Sequence, residues 1–448
     1  MNTHGWSSRR TFLRRSAAVG VATAFPSIVP ASVLGQGSAP PSQRLGVALI
    51  ACGSRAGYGA RYHGHPHAHI VAVCDPIRDR REAFSRRFGG CRAVRDFREI
   101  LADPAVDAVH IATPDHWHVP IALMAAQAGK HLYIEKPLGL CAAQTLAARA
   151  IVDRFGRLVQ YGAQQRSIQH VRMGIELVLN GHIGRVRQLY AWAPKGESGG
   201  RPEPVLPVPD GFDYDLWLGP APLVPFCEDR CFGQGQRKGI YHIYDYAIGF
   251  IAGWGAHPMD MLQWWADHAG RTEVPIRYQG SGTIPTEGLF NTVTHWDVTA
   301  TYRDGLQLRF MDNETAARLH PHPGIEGAHG TLFVGDEGWV RVSRDSWKTD
   351  PESLLYKGKE PGERRLRVSR DQIDDFIESV LAGRTPIDDL HSAVRSDLIC
   401  HLSEIAVRSG RGIQWDPSSE TIVGDAEAAR LLSRSAREPW SLSSILKT

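Results

Sequence analysis

Cysteine is scarce and badly spaced for a scaffold role. Cys52, Cys74, Cys91, Cys141, Cys227, Cys231 and Cys400 are odd in number and scattered, which excludes a disulfide framework. Cys52 and Cys74 fall in apolar runs and read as buried thiols. Cys227 and Cys231 lie close together in a Pro-rich stretch, the one pair placed for a disulfide in an oxidising compartment. Charge of one sign is also lacking: the formal net charge is +3, too small for a nucleic-acid footprint. The uncharged stretch 16–35 is too short and too alanine-rich for a membrane span. His63, His65, His67 and His69 alternate, but they run into a strand ahead of Asp75 in a connecting segment, and no metal site is read from them. What remains is a chain of 448 residues, 42% hydrophobic and 22% charged, with the composition of a soluble globular protein and more length than one core needs.

The first residues have a separate logic. Ser8-Arg9-Arg10-Thr11-Phe12-Leu13-Arg14 precedes the uncharged stretch, and small residues follow between Ala31 and Ala39. This is a twin-arginine export pattern with a cleavable signal. It predicts a periplasmic protein, exported folded and without stable membrane insertion afterwards. Residues 1–39 are read as signal and linker, 40–162 as a first domain and 163–448 as a second.

The apolar run 45–50 is of strand length and passes into Ala51-Cys52-Gly53-Ser54-Arg55-Ala56-Gly57. That is the position of a dinucleotide fingerprint, with Ala51 where the first glycine is usual, Gly53 at the second position and Ala56 at the third. A second strand, 69–74, ends at Asp75, where an acidic residue hydrogen-bonds an adenosine ribose. Arg78, Arg80 and Arg81 follow and offer an alternative 2′-phosphate site, so NAD is preferred with NADP possible. The rhythm continues with a helix at 96–102, a strand at 106–112, the loop Thr113-Pro114-Asp115-His116-Trp117-His118, a helix at 119–128 and the strand His131-Leu132-Tyr133-Ile134-Glu135. Lys136 and Pro137 close that strand. Right-handed crossovers would put the Gly53 turn, the Thr113 loop and the Glu135-Lys136-Pro137 corner on one sheet edge, where such folds bind ligands. An alanine-rich helix over 142–155 and a last strand, 158–161, complete this half.

Beyond Gln164-Gln165-Arg166 the pattern changes. Strand-like alternation at 185–193, 296–302 and 306–310, with helices at 171–180 and 259–265, predicts an α+β domain with a large, mostly antiparallel open sheet. The Pro/Gly-rich stretch 194–239 is too long for a plain connection and reads as a functional loop over the site. Amphipathic helices at 371–382 and 391–409 are placed to pack back on the first domain.

These motifs, with Tyr214-Asp215-Leu216-Trp217-Leu218-Gly219-Pro220, Trp254-Gly255-Ala256-His257 and the ending 434–440, resemble the Gfo/Idh/MocA oxidoreductase family, closest to its exported branch. The resemblance covers the chain after the signal. It implies a Rossmann domain binding NAD(P), a second α/β domain used for homo-oligomer contacts, and a small carbohydrate substrate. It implies cofactor-binding positions at Gly53, Ser54, Arg55, Ala56, Asp75, Thr113, Pro114, His116, His118, Glu135, Lys136 and Gln164. Substrate-facing positions would be Lys136, Trp117, Arg166, Trp254 and His257. The family lysine carries over to Lys136 and its histidine to His257, while the aspartate expected four residues earlier is Gly253.

Oxidation of a secondary alcohol needs a group to take the hydroxyl proton while the carbon gives up hydride. A histidine titrates near neutrality, whereas a lysine has an ordinary value of about 10.4. On that ground His257 is expected as acid/base and Lys136 as electrostatic stabiliser and member of a proton shuttle. Asp260, Asp245, Tyr241 and Tyr244 are candidates to orient His257 in place of the missing aspartate. Three functions stay open: a sugar or polyol dehydrogenase, a redox-neutral glycosidase that oxidises, eliminates and returns hydride, and a non-catalytic sugar-binding relict.

Overall fold

The computed structural model describes residues 44–202, 204–232, 238–358 and 360–447. The twin-arginine segment and its cleavage region lie outside them. Continuous apolar runs bury on both faces and form a parallel sheet of six strands. They are β1 (Leu45–Ile50), β2 (Ala68–Cys74), β3 (Arg92–Val94), β4 (Ala108–Ile111), β5 (His131–Glu135) and β6 (Val159–Gly162), in the order β3-β2-β1-β4-β5-β6. Every neighbouring pair is parallel. The direction of winding reverses between β1 and β4, so the loops after those two strands part there and leave a crevice. This is the Rossmann arrangement.

The second sheet has nine strands: β7 (Val186–Ala193), β8 (Arg277–Thr283), β9 (His295–Thr301), β10 (Gln307–Asp312), β11 (Gly330–Gly335), β12 (Trp339–Val342), β13 (Trp347–Asp350), β14 (Ile413–Asp416) and β15 (Thr421–Val423). Their order is β13-β12-β11-β7-β10-β9-β8-β14-β15, antiparallel except for the β7/β10 pair. In β9, Trp296, Val298 and Ala300 point inward and are buried, while Asp297 and Thr299 alternate outward. The helices Ala256–His268 and Leu390–Ser409 lie against this sheet. On its other face Asp297 holds Arg309 through two hydrogen bonds of 2.9 and 2.7 Å.

The expected helix over 142–155 is broken into Ala142–Ala147 and Ala150–Asp153. At the break Arg149 turns its guanidinium to the Leu146 carbonyl and to Glu420. β3, β8 and β11 to β15 have no counterpart in the periodicity; β3 and β13 are too short to show one, and β8 is polar and glycine-containing. All seven cysteines are free thiols, Cys227 and Cys231 included. Among the described residues no helix is long and apolar enough to cross a membrane.

Two features bring the halves together at the carboxyl edge of the first sheet. The stretch after β7 folds over it, with Gly211 accepting from the Arg78 amide at 2.9 Å and Asp213 donating to the Pro76 carbonyl at 3.1 Å. An aromatic cluster of Phe212, Tyr214, Trp217, Phe226 and Tyr246 holds that strap in shape. From the far end of the chain, helix Leu390–Ser409 delivers Asp397, fully buried, to the corner after the cis Lys136–Pro137 peptide. Its carboxylate accepts the amides of Leu138 (3.1 Å) and Gly139 (3.2 Å) and the Thr145 hydroxyl (2.6 Å).

Removing that acceptor leaves three buried donors unpaired, each costing about 1–3 kcal/mol. Asp397→Ala is therefore expected to lower stability by about 3–5 kcal/mol, and Asp397→Asn, which keeps one acceptor oxygen, by distinctly less. Urea unfolding of the two variants checks this.

Candidate functional site

The carboxyl ends of β1, β2, β4 and β5 and the strap enclose a cavity of about 420 Å³. At one end the chain leaves β1 through Ala51, whose φ is 81°. The left-handed turn that normally asks for glycine is therefore made by alanine. Its amide donates to the Cys74 carbonyl at 2.8 Å, tying the turn to β2. Gly53 lines the cavity, and a Cβ there would meet nothing within 4 Å. The space it would enter is the space a pyrophosphate needs. Ser54 and Arg55 follow on the wall, the latter opening the 3-10 helix Arg55–Tyr62.

Asp75, buried at the end of β2, accepts one amide on each oxygen, from Cys52 and Ile77, both at 2.8 Å. Each oxygen keeps a lone pair for a ribose hydroxyl. Arg80, Arg87 and Arg95 line the same end. Arg81 donates instead to the Asp75 carbonyl, and Arg78 packs against Gly211. Thr113 and Pro114 form the opposite wall, and the Thr113 hydroxyl is buried without a partner. An open glycine cradle, a carboxylate with free lone pairs and an orphaned hydroxyl fit a dinucleotide along this edge.

At the other end Lys136 and Glu135 stand on the cavity wall. Glu135 pairs with Arg55 at 2.8 Å, and burial pushes its carboxyl upward. The Lys136 ammonium donates to the backbone carbonyl of Gly253, reached from the short helix Phe250–Gly253. The residue that lacks the expected carboxylate thus supplies a neutral acceptor from its main chain. Burial lowers the Lys136 pKa to about 8. Asp115, on the next loop, is pushed up to about 8 by burial, partly offset by Lys136.

His257, in helix Ala256–His268, has Nδ1 at 3.0 Å from the Ala163 carbonyl and 2.9 Å from Oε1 of Gln165. A carbonyl only accepts, so Nδ1 carries the proton. Nε2 is then the acceptor, and it receives Nη2–H of Arg344 at 2.9 Å. Burial holds His257 well below the usual imidazole range, and the charges of Lys136 and Arg344 deepen the effect. Burial thus lowers both groups, drawing the lysine toward neutrality and keeping the histidine uncharged.

The orienting groups also differ from expectation. Asp260 does not reach His257; it is buried against Arg166 at 2.5 and 2.9 Å. Arg166 is consumed by that pair and by Asp388 at 3.4 Å, and does not face the cavity. Tyr244 lies between the guanidinium groups of Arg408 and Arg434, away from His257. Tyr241 lines the cavity.

Ala56 is fully buried beneath the turn, not on the cavity wall. His116 turns inward, with Nε2 3.1 Å from the Trp217 carbonyl and its ring against Tyr246, and burial takes it down to about 4. His118 borders the cavity, but its two nitrogens face the Pro137 (2.6 Å) and Thr113 (2.9 Å) carbonyls, so it braces two loops. Gln164 adopts φ 75° at the turn after β6 and stays off the wall. Trp117 does line the cavity, with its indole N–H shared between the Leu216 and Trp217 carbonyls. Trp254 lies against His257, His329 and Arg344. Gln165 and Arg344 carried no sequence signal of a role: one stood inside a motif with no periodicity to aim it, and the other in a turn far along the chain. Among the described residues no cluster of His, Cys, Asp or Glu is arranged to hold a metal ion.

Residues 45–163 match the oxidoreductase family model for the NAD-binding Rossmann fold, and residues 175–442 match the C-terminal alpha/beta domain of the same family. The chain belongs to the Gfo/Idh/MocA oxidoreductase family. It is 38% identical over 120 residues to an uncharacterised oxidoreductase of Rhizobium meliloti, covering 27% of this chain and 36% of that one. It is 38% identical over 101 residues to scyllo-inositol 2-dehydrogenase (NAD(+)) of Bacillus subtilis, covering 22% and 30%. These matches thus span about a third of the relatives' length. An aldose-aldose oxidoreductase from Caulobacter crescentus, solved with glycerol, shares the fold at TM-score 0.58 and 18% identity, over 83% of this chain and 99% of that one.

Because a Cβ at Gly53 enters only open space, Gly53→Val is expected to leave the unfolding midpoint unchanged. It should weaken NAD binding at least tenfold, about 1.4 kcal/mol. Calorimetric titration with NAD beside a thermal melt reads both.

Proposed function

We propose that this protein oxidises a secondary hydroxyl of a sugar, polyol or glycoside, with Lys136 taking the hydroxyl proton. The observation that carries the reading is the half-buried Lys136 side chain on the wall of the same cavity that Gly53, Asp75 and Thr113 line, where desolvation draws its pKa down. The inositol dehydrogenase among the relatives supports a polyhydroxylated substrate. NAD, held by the Gly53 turn, Asp75 and Thr113, would supply the hydride acceptor. Guanidinium groups of Arg80, Arg87 and Arg95 at the ribose end leave room for a 2′-phosphate as well.

The proton chemistry belongs to the chain. In its amine form Lys136 accepts the hydroxyl proton, and the ammonium so formed opposes the negative charge building on the oxygen. Gly253 holds the nitrogen in place through its carbonyl. Asp115 acts on Lys136 through its charge, favouring the ammonium, and Lys136 in turn offsets part of the rise that burial forces on Asp115. Neutral His257, its tautomer set by Ala163 and Gln165, keeps Nε2 as an acceptor, which Arg344 fills in this structure.

The sign of the pH dependence follows. Oxidation needs the amine, so kcat/KM should rise about tenfold per pH unit below 7 and level off above about 8, with the reverse reaction falling over the same range. Lys136→Ala should lose about 10²–10⁴ in kcat/KM with NAD affinity retained. A Cβ at Gly253 meets only Phe250 Cδ1, at 3.8 Å, so Gly253→Asp should fit. Its carboxylate should raise the Lys136 pKa by about 1–3 and carry the rise to higher pH. NADH formation from a panel of sugars, polyols and glycosides across pH 6–10 tests all three chains. Full turnover in Lys136→Ala overturns the assignment. Cleavage of a glycoside with no net NADH would replace net oxidation by redox-neutral hydrolysis.

We further propose that the chain is exported to the periplasm by the twin-arginine route. The support is Arg9-Arg10 ahead of the uncharged stretch 16–35. Replacing both arginines by lysine should abolish the shortened periplasmic form seen on fractionation. Retention of the unaltered wild-type chain in the cytoplasm would refute it.

A further inference from the structure

Arg344 occupies the turn between β12 and β13, half-buried, with its guanidinium over the Trp254 ring at 5.5 Å from the centroid. Its hydrogen-bond acceptor is a neutral imidazole nitrogen, Nε2 of His257. No carboxylate among the described residues forms an ion pair with it. Arg55, Arg166 and Arg341 are each matched, by Glu135, by Asp260 with Asp388, and by Glu326. Arg55 and Lys136 repel Arg344, while Asp345 and Glu135 attract it, and Glu135 is already engaged by Arg55. A partly desolvated cation with only a neutral partner is a costly arrangement unless an anion completes it.

A second donor beside the same imidazole lacks an acceptor. Gln165 gives Oε1 to His257, and its Nε2 is buried with no partner. A hydroxyl would satisfy one donor without offsetting the charge. A carboxylate offers two coplanar oxygens to the guanidinium fork, and the Trp254 ring stacked below leaves the in-plane edge of that fork for such a partner.

We propose that Arg344 recognises a carboxylate on the substrate, making the substrate class acidic sugars, and that this contact uncovers Nε2 of His257 for the substrate hydroxyl. A charge-assisted pair outcompetes the hydrogen bond from guanidinium to neutral imidazole. As the carboxylate takes Arg344, the lone pair on Nε2 is released toward the reacting oxygen. The second half of the proposal rests on the hydride-transfer reading above; recognition of the carboxylate does not.

The test compares D-glucuronate with D-glucose, D-galacturonate with D-galactose, and D-mannuronate with D-mannose, each pair differing in one group. Binding to NAD-loaded protein is measured by calorimetry, and turnover by NADH formation, for wild type, Arg344→Gln and Arg344→Lys, with thermal melts confirming that all three are folded. In at least one pair the acid should bind wild type about tenfold more tightly or better. Arg344→Gln should erase the preference of acid over neutral sugar, and Arg344→Lys, which keeps the charge and loses the fork, should retain part of it. No preference in any pair, a preference surviving in Arg344→Gln, or tighter binding of the matching sugar phosphate overturns the proposal. Neutral sugars oxidised while uronates are ignored would sink it and leave the oxidoreductase reading standing. Uronates bound through Arg344 but never oxidised would do the opposite.

Discussion

A half-buried ammonium group with a main-chain carbonyl for a partner is the constraint around which this site is organised. Gly253 offers Lys136 a dipole where a carboxylate would offer a charge. Desolvation draws the Lys136 pKa down. Nearby groups respond to the same field. The Lys136 charge offsets part of the rise that burial forces on Asp115 and drives His257 further from protonation, while Glu135 is held by Arg55.

That arrangement needs both halves of the chain. β5 ends at Glu135, but the corner beyond it is held by Asp397, from a helix that begins some 250 residues later. His257 is oriented from the turn after β6 through Ala163 and Gln165 and covered by Arg344 from the second sheet. The strap after β7 closes the remaining side, fastening to Pro76 and Arg78 at the end of β2.

The first half was legible because its signals are local. A buried parallel strand is a continuous apolar run, a crossover helix follows within a dozen or so residues, and the functional loops fall at strand ends by topology. Gly53, Asp75, Thr113, Glu135 and Lys136 were located that way, and all five line the cavity. The second half was legible in class only. β9 alternates cleanly, while β13 and β15 are too short for a period to show, and β8 carries glycine and polar residues on a strand defined by its partners.

Side-chain direction and charge state were decided by the tertiary structure. Arg166 and Asp260 each looked free to serve the site, and they satisfy each other in the core. His116 and His118 stood in a functional loop, yet their nitrogens turn to backbone carbonyls. Assigning His257 as the titrating group assumed solvent-like values, whereas burial lowers both His257 and Lys136. By itself the sequence determined which residues reach the sheet edge, because strand length and crossover handedness are local rules. Which of them carries the proton depended on desolvation and on partners such as Gly253, Gln165 and Arg344, which only folding brings within reach.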